Sequence, residues 1–144
     1  MPRSIFSLAA CILLAAAVAG CGDSPTAPGP VFTQTDLRVG TGTAAAAGND
    51  VTVFYSGWLY DASKPDQKGL RFDSNVGGTA FTFRLGIGQV IEGWDQGLVG
   101  IQVGGIRRLI VPPSLGYGGV RNGPIPPNST LIFEVEVTAI TVQQ

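Results

Sequence analysis

QVIEGWDQGLVGI, residues 89–101, is the one stretch of this chain whose apolar side chains recur at helical spacing. They follow one another at intervals of three, four and three residues, at Ile91, Trp94, Leu98 and Ile101. Gly93 and Gly97 lie inside the pattern, and each costs an isolated helix about 1 kcal/mol relative to alanine. We therefore expect a helix over residues 89–101 whose glycines let its backbone approach a sheet closely, so that packing holds it together.

Strand patterns surround this helix. Three segments combine β-branched or aromatic residues with an alternation of period two, at residues 51–60, 81–85 and 131–138, and residues 106–111 read as a further strand that Pro112 and Pro113 end. A weaker strand pattern covers residues 35–39, and the long segments 61–71 and 112–130 read as connections. Because strands outnumber helices about five to one, we predict an α+β fold, with a mainly antiparallel sheet of five to six strands wrapped around one short helix.

The first thirty residues read as an export signal and a tether. An apolar run from Ile5 to Ala19 is too short to cross a bilayer as a helix and has the length of a secretory core region. It ends in Val18-Ala19-Gly20-Cys21, which resembles the lipobox of bacterial lipoproteins. We predict a lipoprotein signal peptide over 1–20, a Pro- and Gly-rich tether over 21–31 that begins at a lipidated Cys21, and one domain over 32–144.

These predictions place the protein outside the cytoplasm, anchored to a membrane through its lipid. The alternative is ordinary signal cleavage after Ala19, which would leave Cys21 as an unpaired thiol. Cys11 lies within the apolar run and is removed in either case, so no disulfide is expected in the mature domain.

Composition argues against several classes of function. The chain has 144 residues, no histidine and a net charge of −1, and its carboxylates are scattered along the sequence. A transition-metal site and a histidine-based proton relay are therefore not expected. Arg107 and Arg108 are too few to form a basic stripe, so nucleic-acid binding is not expected either.

Three short motifs hold most of the functional information: Phe72-Asp73, the segment from Val90-Ile91 to Trp94, and Tyr117-Gly118 before Gly123-Pro124-Ile125-Pro126-Pro127. They supply apolar walls together with the carboxylate of Asp73 and the phenol of Tyr117, so a site built from them would act by shape and desolvation. Each residue also has an ordinary interpretation. Trp94 would be core, Asp73 a turn residue and Tyr117 a loop anchor.

In this order and spacing, the motifs resemble those of the FKBP-type peptidyl-prolyl cis/trans isomerases, from about residue 35 to residue 141. The resemblance implies catalysis of rotation about Xaa-Pro bonds in a cavity, without a cofactor. It implies that Asp73, Tyr117 and the backbone N–H of Ile91 act on the substrate. The implied cavity walls are Tyr55, Phe72, Phe83, Val90, Trp94, Ile125 and Phe133, with Phe81 in the adjacent core.

The resemblance also implies the partners: proline-containing unfolded or exported polypeptides, and macrolides such as tacrolimus or rapamycin. Two alternatives come from other classes. One is a binding module or holdase that keeps the cavity without turnover. The other is a secreted carbohydrate-binding domain with exposed aromatic rings, which the placement of Trp94 in the helical stripe argues against because that ring should be buried.

Overall fold

The structure is a computed structural model that describes residues 29–144, and the predicted signal peptide, Cys21 and most of the predicted tether lie outside this range. The described residues form six strands and one α-helix: β1 (Thr33–Arg38), β2 (Asp50–Tyr60), β3 (Lys68–Ser74), β4 (Phe81–Arg84), α1 (Glu92–Gly97), β5 (Ile106–Val111) and β6 (Leu131–Thr141). Two short 3-10 turns lie at Pro65–Gln67 and Pro113–Leu115. No helix within the described range has the length and apolar character needed to span a membrane.

The strands form one antiparallel sheet in the order β1-β5-β6-β2-β3, with β4 also paired to β2. One edge of β2 is shared, because β4 pairs with its first half from Asp50 to Val53 and β3 with its second half from Ser56 to Tyr60. The predicted α+β fold, with an antiparallel sheet around one short helix, is confirmed.

Strand β3 is not predicted by the sequence pattern, which favours a connection over residues 61–71. Its sequence KGLRFDS contains glycine, two basic residues and aspartate, which have low intrinsic strand preference. The strand forms because β2 offers it an edge on which to pair.

The hydrophobic core lies between the inner face of the sheet and α1. Strand β5 alternates strictly between half-buried and buried residues, with Leu109 and Val111 fully buried. Val135 and Val137 of the neighbouring strand β6 are also fully buried, and Trp94 of α1 belongs to the same hydrophobic cluster. The period of two along each strand therefore directs one set of side chains toward the helix.

The helical glycines sit directly against β5. A Cβ at Gly93 would lie 2.6 Å from Cγ1 of Val111, and a Cβ at Gly97 would lie 2.6 Å from Cδ2 of Leu109. The expectation that these glycines permit close approach of the helix to the sheet is confirmed. The helix itself is shorter than predicted, because Ile91 is extended (φ −58°, ψ 151°) and Gly100 adopts a left-handed conformation at φ 82°.

Gly97→Ala is expected to lower the free energy of unfolding by about 1–3 kcal/mol, although alanine favours helices. The added methyl would collide with Leu109 and also meet the ring of Phe32 at 3.1 Å. Urea unfolding measures the change. The matched control is Gly78→Ala, at an exposed turn whose nearest atom lies 3.4 Å away. A Gly97→Ala protein as stable as this control would contradict the tight packing.

Arg107 points inward from β5 and joins the helix to the edge of the sheet. Its side chain is buried, and its Nη1 donates to the carbonyls of Gly97, the last residue of α1, at 2.8 Å and Val99 at 2.9 Å. Its Nε donates to Asp36 of β1 at 2.5 Å. This hydrogen bond holds the pKa of the Asp36 carboxyl below its usual value.

Candidate functional site

A cavity of about 410 Å³ opens between the inner face of the sheet, α1, residues 85–91 before this helix and the long connection 112–130. Strands β2, β3, β4 and β6 each contribute aromatic or acidic side chains to it, and α1 contributes its tryptophan. The lining residues are Tyr55, Phe72, Asp73, Phe81, Gln89, Val90, Ile91, Trp94, Tyr117 and Phe133.

Trp94 forms the floor of the cavity and is 4% exposed. Its ring stands nearly perpendicular to the rings of Tyr55, at 5.1 Å between centroids, and Phe133, at 5.3 Å. Edge-to-face contacts of this kind are favourable because the positive edge of one ring meets the negative face of another. The indole Nε1 is buried and finds no hydrogen-bond acceptor within residues 29–144. The floor is thus a buried aromatic surface packed against two further rings.

The polar wall of the cavity pairs a phenol with a carboxylate. The hydroxyl of Tyr55 donates to Oδ2 of Asp73 at 2.6 Å across the β2–β3 pair. Burial, together with this hydrogen bond to the carboxylate, raises the pKa of Tyr55 well above its ordinary value. Partial burial and the charge of Asp73 likewise raise the pKa of Tyr117. Both hydroxyls therefore keep their protons at neutral pH and remain able to donate.

Ile91 lines the cavity and carries an unused backbone donor. Its carbonyl accepts hydrogen bonds from the N–H groups of Trp94 at 2.9 Å and Asp95 at 3.2 Å, which begin the helix. Its own N–H donates to no group within the described residues. A half-buried N–H of this kind gains most from a ligand carbonyl that satisfies it.

Asn75 holds the backbone of Tyr55 in place, a role that the sequence pattern does not predict. It lies where β3 has ended and β4 has not begun, and its amide fills the gap along the edge of β2. Oδ1 accepts the N–H of Tyr55 at 2.7 Å, and Nδ2 donates to the carbonyl of Val53 at 3.1 Å. One side chain thereby replaces two bonds of the missing strand. The sequence signal is weak, because asparagine after Phe-Asp-Ser also suits an ordinary turn.

The structure brings together most of the residues that the resemblance implied. Asp73, Tyr117 and Ile91 line the cavity, as do Tyr55, Phe72, Val90, Trp94 and Phe133.

Three positions differ from the sequence reading. Phe83 and Ile125, expected in the walls, do not line the cavity and are buried in the core at 3% and 4% exposure. Phe81, expected in the core, is 40% exposed and lines the cavity while stacking on Phe83 at 5.6 Å. A period of two assigns both phenylalanines to one face but does not set which one reaches the opening. Gln89 also lines the cavity and was not expected there.

Comparison with known proteins agrees with this geometry. Residues 41–138 match the family described as FKBP-type peptidyl-prolyl cis-trans isomerase. An "FK506-binding protein" of Neisseria meningitidis serogroup B is 44% identical over 107 residues, which cover 73% of this chain and 92% of that protein. A "46 kDa FK506-binding nuclear protein" of Spodoptera frugiperda is 48% identical over 71% of this chain, but the match spans only 24% of that longer protein.

Solved structures give the same result. The crystal structure of AtFKBP13 superposes with a TM-score of 0.66 at 35% identity, covering 76% of this chain and 93% of that one. The crystal structure of FkpA from Escherichia coli gives a TM-score of 0.66 at 37% identity, covering 76% of this chain and 48% of that one. As its motifs predicted, this chain belongs to the family of FKBP-type peptidyl-prolyl cis-trans isomerases.

Proposed function

We propose that this chain catalyses cis/trans rotation about Xaa-Pro bonds in polypeptides. One observation carries the proposal: an aromatic cavity is lined by two phenols with raised pKa values and by Ile91, whose backbone N–H has no acceptor within the described residues. Planar amide resonance sets a barrier of about 18–20 kcal/mol, and crossing it needs no covalent bond to the protein. Such a cavity suits a reaction that requires neither a nucleophile nor a proton relay.

Desolvation and shape would lower this barrier. The planar amide is more polar than the twisted one, so a cavity that strips water from it destabilises the ground state relative to the transition state. A millionfold acceleration would need about 8 kcal/mol of such preference. The rings of Phe72, Phe81 and Phe133 would enclose the proline above the floor formed by Trp94.

The polar groups divide into two roles. The N–H of Ile91 and the hydroxyl of Tyr117 are donors and would bind carbonyls on either side of the proline. Asp73 offers acceptors but no donor when ionised, and one of its oxygens already accepts the hydroxyl of Tyr55. We assign it to orienting Tyr55 and to placing negative charge beside the substrate, rather than to binding a carbonyl.

Refolding of a protein whose folding is limited by proline isomerisation tests the activity. Uncatalysed isomerisation takes tens of seconds, so acceleration by added enzyme is easily resolved. Faster refolding at catalytic amounts of the chain supports turnover. Refolding that is slowed or blocked would instead support the alternative of a holdase that binds prolyl segments without isomerising them.

Tyr117→Phe is expected to lower kcat/KM for a prolyl peptide by about two- to tenfold, because one neutral hydrogen bond contributes about 0.5–1.5 kcal/mol. A protease-coupled peptide assay gives the ratio. The matched control is Tyr60→Phe, a tyrosine of β2 outside the cavity lining. Equal kcat/KM values for the two variants would show that the hydroxyl of Tyr117 does not contact the substrate.

The activity is expected to stay constant from about pH 6 to pH 9. The chain has no histidine to titrate in this range, and the pKa values of Tyr55 and Tyr117 are raised, so both hydroxyls stay protonated beyond the ordinary tyrosine range. Direct fluorescence or NMR assays without a protease can follow the rate across this range. A loss of kcat/KM near pH 7 would show that another titrating group takes part.

We also propose that the chain is an exported lipoprotein anchored to a membrane through Cys21. The apolar run ending in Val18-Ala19-Gly20-Cys21 supports this, and the Pro- and Gly-rich segment after it suits a tether. Its substrates would then be proteins that fold outside the cytoplasm. The mass of the native N-terminus tests the proposal, because an acylated cysteine adds several lipid chains whereas a free N-terminus after Ala19 or an uncleaved chain does not.

Macrolide binding is a related proposal, supported by the printed names of the FK506-binding relatives and by the apolar cavity. Tacrolimus should then compete with prolyl peptides. Competition is measured by titrating the drug against peptide turnover, with the Trp94 fluorescence as a direct signal of occupancy.

A further inference from the structure

We propose that Asp95 is a positioning residue, which holds the connector between β4 and α1 so that the N–H of Ile91 faces the substrate. This inference rests on the proposed isomerase function and assigns a role to a side chain that is not among the cavity-lining residues. The connector comprises residues 85–91 and includes Val90 and Ile91 of the cavity wall.

Both oxygens of Asp95 bind the connector. Oδ1 accepts the N–H of Gly86 at 2.8 Å, and Oδ2 accepts the N–H of Gly88 at 2.9 Å. The backbone N–H of Asp95 donates to the carbonyl of Ile91 at 3.2 Å. A single residue of the helix therefore holds the beginning and the end of the connector. Hydrogen bonds from N–H groups to a carboxylate are among the stronger ones in proteins.

The connector needs this support because of its composition. Gly86 and Gly88 both adopt positive φ angles, 84° and 77°. Glycine loses more conformational freedom on folding than any other residue, so a free connector would sample many orientations. Gln89 also fixes the connector, because its Oε1 accepts the N–H of Arg84, the last residue of β4, at 2.7 Å.

The direction of the Ile91 N–H follows from this arrangement. The carbonyl of Ile91 is fixed by the first turn of α1, and the preceding residues are fixed by Asp95 and Gln89. The peptide plane that carries the N–H is thus held from both sides. Its donor would bind a substrate carbonyl next to the proline in the planar and twisted states alike, so losing its alignment should weaken binding more than turnover.

The experiment compares Asp95→Asn with Glu92→Gln in the otherwise unchanged domain. Asparagine keeps one acceptor oxygen and turns an NH₂ group toward the other glycine N–H, so one hydrogen bond is lost. Glu92 lies on the same helix, but its Oε1 accepts only the amide of Gln96, at 2.7 Å. This control therefore removes a helical carboxylate without touching the connector. Asp95→Ala, which loses both bonds, extends the series.

Two readouts separate positioning from a general loss of stability. The first is peptide turnover at a temperature where each variant is fully folded. We expect KM to rise about three- to tenfold in Asp95→Asn and further in Asp95→Ala, with kcat nearly constant. The second is the amide resonance of Ile91, which should shift downfield when tacrolimus binds to the parent protein and shift less in both Asp95 variants.

The outcomes are distinct. A KM and an Ile91 shift in Asp95→Asn equal to those of Glu92→Gln overturn the inference even if the melting temperature falls. A parent protein that binds tacrolimus but does not turn over peptide overturns the proposed catalysis, while the Ile91 resonance still tests the role of Asp95. A kcat that falls with KM unchanged also overturns the inference, since the donor would then act only in the transition state.

Discussion

Trp94→Leu is expected to reduce kcat/KM for a prolyl peptide by about a hundredfold, because the substitution removes the floor that we propose for the proline. An aromatic side chain of this size buries about 150–250 Å², of which leucine replaces only a part. A loss of about 100 Å² of apolar contact at about 25 cal/mol per Å² gives about 2.5 kcal/mol, close to a hundredfold in rate. Protease-coupled turnover of a prolyl peptide measures the ratio.

The same substitution also weakens the fold, and this effect must be separated from the loss of activity. Trp94 contacts Tyr55, Phe83 and Phe133 with centroid distances of 5.1–5.6 Å, so its truncation leaves a gap that costs about 3 kcal/mol. Activity should therefore be measured at a low temperature at which urea unfolding shows that the variant is folded. A lower rate then reports the change in the cavity and not a fraction of unfolded protein.

The chain provides a matched control in its other tryptophan. Trp58 lies outside the cavity lining and carries the ammonium of Lys68 over its ring at 4.3 Å. Trp58→Leu should leave kcat/KM within about twofold of the parent, since it changes no cavity contact. If the two leucine variants lost activity equally, the floor role of Trp94 would be rejected.

Arg107→Met is expected to lower the free energy of unfolding by about 3 kcal/mol, the largest loss we expect from any single change outside the hydrophobic core. Methionine matches the length of the aliphatic stem but leaves the carbonyls of Gly97 and Val99 without their donor. It also removes the partner of Asp36. Hydrogen bonds to charged groups contribute about 1.5–3 kcal/mol each, and the partial exposure of Asp36 limits its share.

Urea unfolding at neutral and acid pH tests this prediction. The folded-state pKa of Asp36 is lowered, so its contribution is present above the unfolded pKa of 3.8 and is lost as pH falls through the folded value. The parent should therefore lose stability on acidification more steeply than Arg107→Met.

Two further variants sharpen the Arg107 experiment. Arg71→Met is the matched control, because Arg71 is an exposed residue of β3, and its stability should stay within about 0.5 kcal/mol of the parent. Asp36→Asn completes a double-mutant cycle with Arg107→Met. Additive losses in that cycle would show that the two side chains are not coupled, contrary to the ion pair.

Much of the fold could be predicted because its signals are local. The alternation in β2 and β6 identified inward residues, and the helical stripe with two glycines identified α1 and its close packing. The sequence signals failed where strand pairing or the backbone conformation at the ends of the helix decided the structure. Strand β3 has little intrinsic preference, and α1 is shortened by the conformations of Ile91 and Gly100 rather than by its apolar pattern.

The candidate site shows the same division. The motif spacing brought Asp73, Tyr117, Ile91 and Trp94 into one proposed cavity, and the structure places all four in its lining. It did not distinguish Phe81 from Phe83, since both lie on one face of β4 and only their distance from the opening differs. The supporting roles of Asn75 and Asp95 were also not predicted, because they depend on hydrogen bonds between residues apart in the chain. The partners of Asn75 are 20 and 22 residues away, and those of Asp95 are 7 and 9 residues away.

By itself, the amino-acid sequence determined the type of fold, the family and the apolar character of the cavity, because side-chain period and residue type are properties of neighbouring residues. Only the tertiary structure decided which rings reach the opening and which carboxylate supports the connector. It also decided that Arg107 joins β1 to the end of the helix. These outcomes arise where elements distant in the chain meet, and their hydrogen bonds and depths depend on how those elements pack.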